Sequence, residues 1–303
     1  MAKRETEAMR RLAKKQKGGD KAISVWGEVR YRLFRNSGAV LGIIVVGILV
    51  LFALFPTLFA RYGFDDQDYT SMFIPPCWEH PMGTDNLGRD IFSRVVYGAR
   101  ISLTVGIVST VCSLLVGGTL GSLAAVYGGK VDSVIMRIGD VFMAIPSTLL
   151  AISICAALGT GMVNLIIAIT ISQVPEFSRT VRAAILTVKD QEFIEAARAI
   201  GASKWRQIVR HMFPNAMGPI IVRATLNVAG GITTAAALSF IGLGVAPPTP
   251  EWGSMLSSSK QFITDFNKWY VVAFPGIMIM LTVFALNLFG DGLRDAFDPR
   301  QKD

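Results

Sequence analysis

Long apolar stretches, separated by shorter polar ones, make up most of this chain. Six of them stand out, at about residues 39–60, 101–127, 141–158, 162–174, 220–245 and 271–290. A helix of about 20 apolar residues crosses a bilayer core of about 30 Å. The pattern therefore predicts an all-α membrane protein with six transmembrane helices. The fourth stretch is short for a span, so we expect its helix to continue into residues 175–189.

Charged residues between these stretches predict the orientation. About a third of the Lys and Arg precede the first stretch, and the polar segment 177–218 carries about seven more. Basic flanks tend to stay on the cytoplasmic side of a membrane. Both regions and the tail 291–303 are therefore predicted to be cytoplasmic, with both termini inside. The loops 61–100 and 246–268 are then external, and the remaining five helices form a core over 101–290.

The N-terminal region divides into two parts. Residues 1–24 are basic and predict a disordered tail, whereas residues 25–35 place Trp26, Val29 and Leu33 on one face of a helix. Such an amphipathic helix is suited to lie along membrane lipid at the cytoplasmic interface. Residues 1–38 are thus predicted to be a cytoplasmic tail with an interfacial helix, with a solvated linker as the alternative.

Glycine and proline positions give further local predictions. A short helix is expected over residues 89–97, ahead of the second span. Gly117 and Gly121 sit four residues apart in that span, which permits close contact with another helix. An inner turn is expected over residues 128–140, and Pro146 should kink the third span or mark its entrance.

Composition agrees with the membrane class. Hydrophobic residues make up 51% of the 303 residues, charged residues only 17%, and the mean hydropathy is +0.47. Soluble domains carry about a quarter charged residues. The net charge of +8 alone would also fit nucleic-acid binding. Because so much basic charge flanks the apolar stretches, we expect membrane lipid as the partner and no nucleic acid.

Signals for catalysis or metal binding are weak. The chain has no phosphate-binding G-x-x-x-x-G-K-[ST] loop, and its two histidines, His80 and His211, are predicted on opposite sides of the membrane. Cys77 and His80 lack further ligands nearby, whereas a closed metal site needs about four. We therefore expect no enzyme activity, no metal and no cofactor in this chain.

The predicted spans contain almost no charge at their centres. Ion-coupled carriers usually place ionisable or polar coupling groups there, so the pattern disfavours that class. Uncharged polar residues are present and are candidates for a translocation path: Ser147, Asn164, Gln173, Asn227 and Thr234. For any one of them, a hydrogen bond between helices is at least as well supported.

The stretch 190–215 is the main positive signal, since it is polar and basic between apolar neighbours. Asp190 is a candidate N-cap for a helix over 191–200, which Gly201 would end. Ser203 would cap a second helix over 204–212, ended by Pro214. An i, i+3, i+4, i+7 pattern predicts one apolar face of the first helix, formed by Phe193, Ala196, Ala197 and Ile200. Docking of a partner and packing against the protein's own spans are equally supported.

Four motifs carry a family resemblance that extends over about residues 25–299. EAARAIG, followed nine residues later by HMFP, resembles the EAA motif of bacterial ABC-importer permeases, with His211 and Phe213 in place of its Ile and Leu. HPMGTDNLGRDIFSRVVYGARISL, LSFIGLGVAPPTPEWG and LFGDGLRDAFDP are similar to the C-type subunit of the dipeptide/oligopeptide/nickel permease family.

This resemblance implies the type I permease fold of ABC importers, in a bacterial or archaeal cell (inner) membrane. It implies a homologous second permease, two cytoplasmic ATPase subunits that use ATP and Mg, and an extracytoplasmic solute-binding protein. The polar segment 177–218 would be a coupling segment that docks on an ATPase. The residues carried over to that docking surface, or flanking it, are Phe193, Glu195, Ala196, Ala197, Ile200, Gly201 and Ser203.

The resemblance also implies a cargo of di- or oligopeptides. Nickel chelates, glutathione or glycans carried by the same machinery are the alternatives. A channel or scaffold without ATP coupling is the alternative from a different class.

Overall fold

In the computed structural model, which describes residues 25–297, every regular element is a helix. The predicted tail 1–24 and residues 298–303 lie outside the described residues. The α-helices are α1 Val25–Arg35, α2 Ser37–Leu54, α3 Pro56–Phe59, α4 Ile91–Tyr127, α5 Gly129–Met143, α6 Ser147–Leu158, α7 Met162–Leu186, α8 Glu192–Ala199, α9 Lys204–Gln207, α10 Phe213–Asn215, α11 Met217–Phe240, α12 Trp252–Ser259 and α13 Trp269–Phe297. A π turn spans Ile208–Met212, and 3₁₀ turns span Lys260–Phe262 and Phe266–Lys268.

Four helical stretches of the described chain are long and apolar enough to cross a membrane. They are α2, α4, α11 and the stretch Phe266–Phe297 that contains α13. The pair α5 and α6 makes a fifth if its two halves form one broken span, because they meet at an angle of 84°. Helix α7 is not among them, since Glu176, Arg179 and Arg182 lower the hydropathy of its second half. The count of six spans stays a prediction.

The first span is shorter than the sequence pattern predicts. Helix α2 ends at Leu54 rather than near residue 60, and the four-residue helix α3 follows it. Pro56 is the physical reason, because it has no N–H to extend the hydrogen-bond ladder and it disfavours helical backbone at Phe55. Phe55 has φ −125° and ψ 54°.

The second span is longer than predicted and includes the expected short helix over 89–97. Helix α4 runs without a break for 37 residues, so the loop that we predict to be external ends at Asp90 and not near residue 100. The Asp90 carboxylate caps the helix by accepting a hydrogen bond from the Ser93 N–H at 2.7 Å. Its other oxygen lies 3.0 Å from Nδ1 of His80, which fixes the loop to the helix.

The predicted inner turn at 128–140 is wrong, since α5 occupies most of it. Gly128 adopts a positive φ of 63° and separates α5 from α4. Helix α5 is amphipathic, and its carboxylates reach α7: Asp132 pairs with Arg182 at 2.5 Å and Asp140 with Arg179 at 2.6 Å. The break before Pro146 confirms the predicted role of that proline, because α6 begins at the next residue.

The contact between α4 and α7 confirms the prediction made for two glycines of α4. A Cβ atom on Gly117 would lie 2.6 Å from the carbonyl oxygen of Val174, and one on Gly121 would overlap that of Ser178. The predicted continuation of α7 is also confirmed, with Pro175 inside the helix and the end at Leu186. The two helices therefore meet backbone to backbone, which side chains larger than hydrogen would prevent.

A buried carboxylate organises the end of the fold at which α4 begins. Glu251, 1% exposed, caps α12 by accepting hydrogen bonds from the N–H groups of Gly253 and Ser254 at 2.9 and 2.8 Å. The hydroxyl of Ser102 on α4 donates to it at 3.3 Å. The neighbouring Trp252 is fully buried and donates from Nε1 to the Val95 carbonyl at 3.0 Å. Burial raises the pKa of the Glu251 carboxyl above its ordinary value.

We predict that Gly121→Ala destabilises the fold by about 1–3 kcal/mol, the usual cost of overpacking. The added methyl group meets the α7 backbone, which cannot move away as a flexible side chain would. Gly230→Ala is the matched control, because a Cβ atom there meets nothing within 4 Å. Thermal unfolding of the two purified variants in detergent measures the difference. Equal midpoints would contradict the close contact.

We also predict that stability falls as pH rises through the pKa of Glu251. The folded-state pKa is raised, so the folded protein binds this proton more tightly than the unfolded chain does. The resulting stabilisation is complete below the ordinary glutamate pKa and disappears above the folded-state value. Glu251→Gln cannot ionise and should show a shallower decline of the unfolding midpoint as pH rises above the ordinary glutamate pKa. A decline as steep as that of the native chain would contradict the role of Glu251.

Candidate functional site

The polar stretch 190–215 folds into a helical hairpin at the end of α7. Gln191, with extended backbone (φ −83°, ψ 150°), occupies the N-cap position of α8, so the prediction of Asp190 as the cap is wrong by one residue. Neither the Gln191 side chain nor another caps the helix there. The chain still turns at Val188–Gln191, where the Gln191 N–H donates to the Val188 carbonyl at 3.2 Å. That local turn displaces the start of the helix.

The end of α8 confirms the predicted role of Gly201. Its φ is +80°, and the Ala202 N–H donates to the Ala197 carbonyl at 3.0 Å while the Gly201 N–H donates to the Arg198 carbonyl. This pair of bonds is a Schellman motif, which needs a left-handed residue where glycine is least strained. The chain reverses here and enters α9 after two residues.

The second helix begins as predicted and ends differently. The Ser203 hydroxyl caps α9 by accepting a hydrogen bond from the Arg206 N–H at 3.3 Å. Pro214 does not end the helical run, which continues through the π turn into α10 and stops at Asn215. Proline is tolerated in the first turn of a helix, where its missing N–H has no partner to lose. The π turn directly before it widens the backbone.

Helix α8 has one buried side and one exposed side. Ile194 is fully buried and Ala197 is 5% exposed, and Ile194 packs in a cluster with Ile185, Val188 and Ile208. The predicted single apolar face is therefore divided, because Ala197 lies inward while the rest of that face lies outward. Ile194 anchors α8 to the protein, and sequence reasoning did not identify it. It lies three residues before Ala197, a spacing that places both on one side of a helix and could have indicated the buried side.

The outward side presents apolar and basic groups together. Ile200 is 85% exposed, Trp205 63% and Phe193 38%. Glu195, Ala196, Gly201 and Ser203 are also exposed, as are Arg198 and Arg206. We call this outward side of α8 and α9 the hairpin surface. Exposed apolar side chains grouped on a polar element indicate a contact surface.

Two lysines fasten the hairpin to the end of α4. Lys189 donates from Nζ to the Ala125 carbonyl at 3.1 Å, and Nζ of Lys204 lies 4.4 Å from the ring centroid of Tyr127. Positive groups at a helix C-terminus also complement its dipole. Sequence reasoning missed both contacts. The signal that was available was the presence of lysines at and after the predicted end of α7. The hairpin is thus attached to α4 as well as to α7.

The structure brings together two of the five candidate path residues. Nε2 of Gln173 donates to the Asn227 carbonyl at 3.2 Å, and the Ser113 hydroxyl donates to Oε1 of Gln173 at 3.3 Å. These contacts join α4, α7 and α11. Asn227 is 7% exposed, and its Nδ2 has no hydrogen-bond partner in the described chain. Thr234 is half-buried two turns further along α11.

The other two candidates lie elsewhere. Nδ2 of Asn164 donates to the carbonyls of Leu158 and Gly159 at 2.8 and 3.2 Å, so it closes the turn between α6 and α7. Ser147 is exposed at the start of α6. An ion pair between Arg223 on α11 and Glu176 on α7 lies one turn from Asn227. Sequence reasoning missed this ion pair.

Two family models match separate parts of this chain. Residues 117–303 match the model of the binding-protein-dependent transport system inner membrane component. Residues 24–76 match the N-terminal transmembrane domain of oligopeptide transport permease C.

Curated relatives align over most of their length. The dipeptide transport system permease protein DppC of Alkalihalophilus pseudofirmus is 46% identical over 93% of this chain and 92% of the relative. The oligopeptide transport system permease protein OppC of Bacillus subtilis is 39% identical over 94% and 93%. The glutathione transport system permease protein GsiD of Pectobacterium atrosepticum is 42% identical over 93% and 94%.

A solved structure shares the fold. The chain resembles the inward-facing methionine ABC transporter MetNI with a TM-score of 0.55 and 20% identity, over 68% of this chain and 97% of that one. The family matches and the apolar helices together show that this chain belongs to the inner membrane components of binding-protein-dependent transport systems, as a multi-pass permease subunit of an ABC importer.

Proposed function

We propose that this chain is the C-type permease subunit of an importer for di- or oligopeptides. It pairs with a homologous second permease, receives cargo from an extracytoplasmic solute-binding protein, and is driven by two ATPase subunits that hold ATP and Mg. The peptide cargo is supported by the match to the N-terminal domain of oligopeptide permease C and by the names of its relatives. Six spans with cytoplasmic termini are part of the proposal, with α7 as the fourth span.

The hairpin surface is the observation that carries the coupling mechanism. Ile194 and Ala197 hold the opposite side of α8 against the protein, so the exposed Phe193 and Ile200 remain free for an ATPase groove. We assign the docking contact to these residues together with Glu195, Ala196, Gly201 and Ser203. An apolar centre with a charged rim is the usual composition of such an interface.

Movement of the hairpin would be passed to the spans through its two anchors. Lys189 and Lys204 join it to the end of α4, and the Ile194 cluster joins it to α7. Helix α4 is about 55 Å long at 1.5 Å per residue and ends at the external loop. A displacement caused by ATPase closure would therefore reach the far side of the membrane.

The translocation path is proposed to be uncharged at its centre. Asn227 and Thr234 on α11 and Gln173 on α7 are the candidates that the fold brings nearest one another, while Ser147 and Asn164 would line it only near its ends. An uncharged path agrees with an energy source outside the chain. Glutathione, itself a small peptide, is the second candidate cargo because a glutathione permease is 42% identical.

Ile200→Asp is predicted to weaken ATPase binding at least tenfold while leaving folding intact. The side chain is 85% exposed, so its replacement costs the isolated chain little, whereas a carboxylate in an apolar contact is unfavourable. Co-purification of the ATPase subunits with tagged full-length permease measures the effect. Ile263→Asp is the matched control, because Ile263 is 59% exposed but lies between α12 and α13. Equal ATPase recovery from both variants would overturn the docking assignment.

The cargo is tested with the complete importer in proteoliposomes. We expect uptake of labelled dipeptides and tetrapeptides that requires both ATP and the binding protein. Uptake of glutathione in preference to these peptides would overturn the peptide assignment. Peptide flux through the permease alone, without ATPases, would overturn the importer mechanism.

A further inference from the structure

An open cavity of about 520 Å³ lies between α7, α11 and α13. It is at the end of these helices that adjoins the hairpin, because α11 starts directly after α10. Gly218 at the start of α11 faces Phe297 at the end of α13, where a Cβ atom would lie 3.1 Å from the Phe297 ring. Among its lining residues, only Arg223 has been described above, through its ion pair with Glu176.

Two guanidinium groups line the cavity, and no carboxylate does. Arg223 lies about 9 Å from the start of α11 and Arg294 about 4.5 Å from the end of α13, at 1.5 Å per residue. Arg223 is paired with Glu176, and its Nε has no hydrogen-bond partner in the described chain. Within residues 25–297, Arg294 is exposed and forms no ion pair. The cavity therefore carries net positive charge.

The remaining walls are mostly apolar. Pro219, Val222 and Leu226 form one side of the cavity along α11, and Phe297 forms part of the other. Thr180 of α7 adds one hydroxyl group. A ligand that fits must therefore combine an anionic group with a hydrocarbon part, and a hydrophilic anion would leave the apolar wall unused.

The neighbouring helix α1 places this end of the fold at a lipid–water boundary. The Trp26 ring packs edge-on against Phe297, with 5.8 Å between ring centroids. Trp26, Tyr31 and Phe34 are each more than half exposed, and Arg30 and Arg35 are exposed beside them. Aromatic and basic residues mixed in this way are typical of helices that lie in the headgroup region.

We propose that this cavity binds an acidic phospholipid, with the phosphate on Arg294 and Arg223 and an acyl chain along Val222 and Leu226. Arginine suits this task because its fork of N–H donors matches phosphate oxygens. Both arginines lie within about 9 Å of the helix ends beside α1, which is where the proposal places the lipid phosphate. Basic pockets between transmembrane helices on the cytoplasmic side are known to take such headgroups. The inference does not depend on the identity of the cargo.

The test is native mass spectrometry of the purified full-length chain, titrated with phosphatidylglycerol or phosphatidylcholine of the same acyl chains. We expect one phosphatidylglycerol retained per chain with at least fivefold preference over phosphatidylcholine. Arg294→Gln should lower that retention at least fivefold. Arg30→Gln is the matched control, since it removes an exposed arginine from the same end of the molecule without altering the cavity. Val222→Phe narrows the apolar wall and should lower retention without changing charge.

Four results would overturn the proposal. If Arg294→Gln retained as much phosphatidylglycerol as the native chain, Arg294 would not bind the headgroup. If Arg294→Gln and Arg30→Gln lost equal amounts of lipid, the binding would reflect only general charge attraction. Displacement of the lipid by glycerol phosphate at matched concentration would indicate a free-anion site. Displacement by a dipeptide at matched concentration would assign the cavity to the cargo instead.

Discussion

The backbone contact between α4 and α7 is the constraint on which the rest of the structure depends. Gly117 and Gly121 let two long helices approach until one backbone lies against the other. In a bilayer, helix association relies on such close packing, because lipid is as apolar as the side chains it replaces. The same two helices carry the hairpin at one end, and α4 reaches the loop 61–90 at the other. This close packing joins the two ends of the bundle through one pair of helices.

The hairpin resolves a question that composition left open. One side of α8 packs against the protein, and the opposite side stays exposed for the docking that we propose. Ile194 and Ala197 give the helix a fixed seat, and the exposed Ile200 and Phe193 then stand in a defined direction. A surface without that seat would have to order itself upon binding, at a cost in conformational entropy. In the proposed mechanism, the anchor therefore lowers the entropic cost of docking.

Sequence reasoning predicted the parts of the fold that local chemistry determines. The class, the glycine contact in α4, the continuation of α7, the positive φ of Gly201 and the cap at Ser203 all follow from residues close together in the chain. The predicted end of α2 was wrong, because the apolar pattern continues past Pro56 while the backbone hydrogen bonds of the helix do not. The prediction of a single apolar face on α8 was wrong, because apolar residues surround most of that short helix. Periodicity alone therefore cannot show which side is buried. The pairs Arg223–Glu176 and Lys189–Ala125 join distant positions that no local pattern connects.

Helix α5 joins the molecule in a way unlike its neighbours. None of its residues from Gly129 to Met143 is buried, and Asp132 and Asp140 bind it to α7 through ion pairs. Next to it lies the 84° break before α6. Two ion pairs and an 84° joint therefore attach α5, whereas the clusters of buried apolar residues in the described chain contain no residue of this helix.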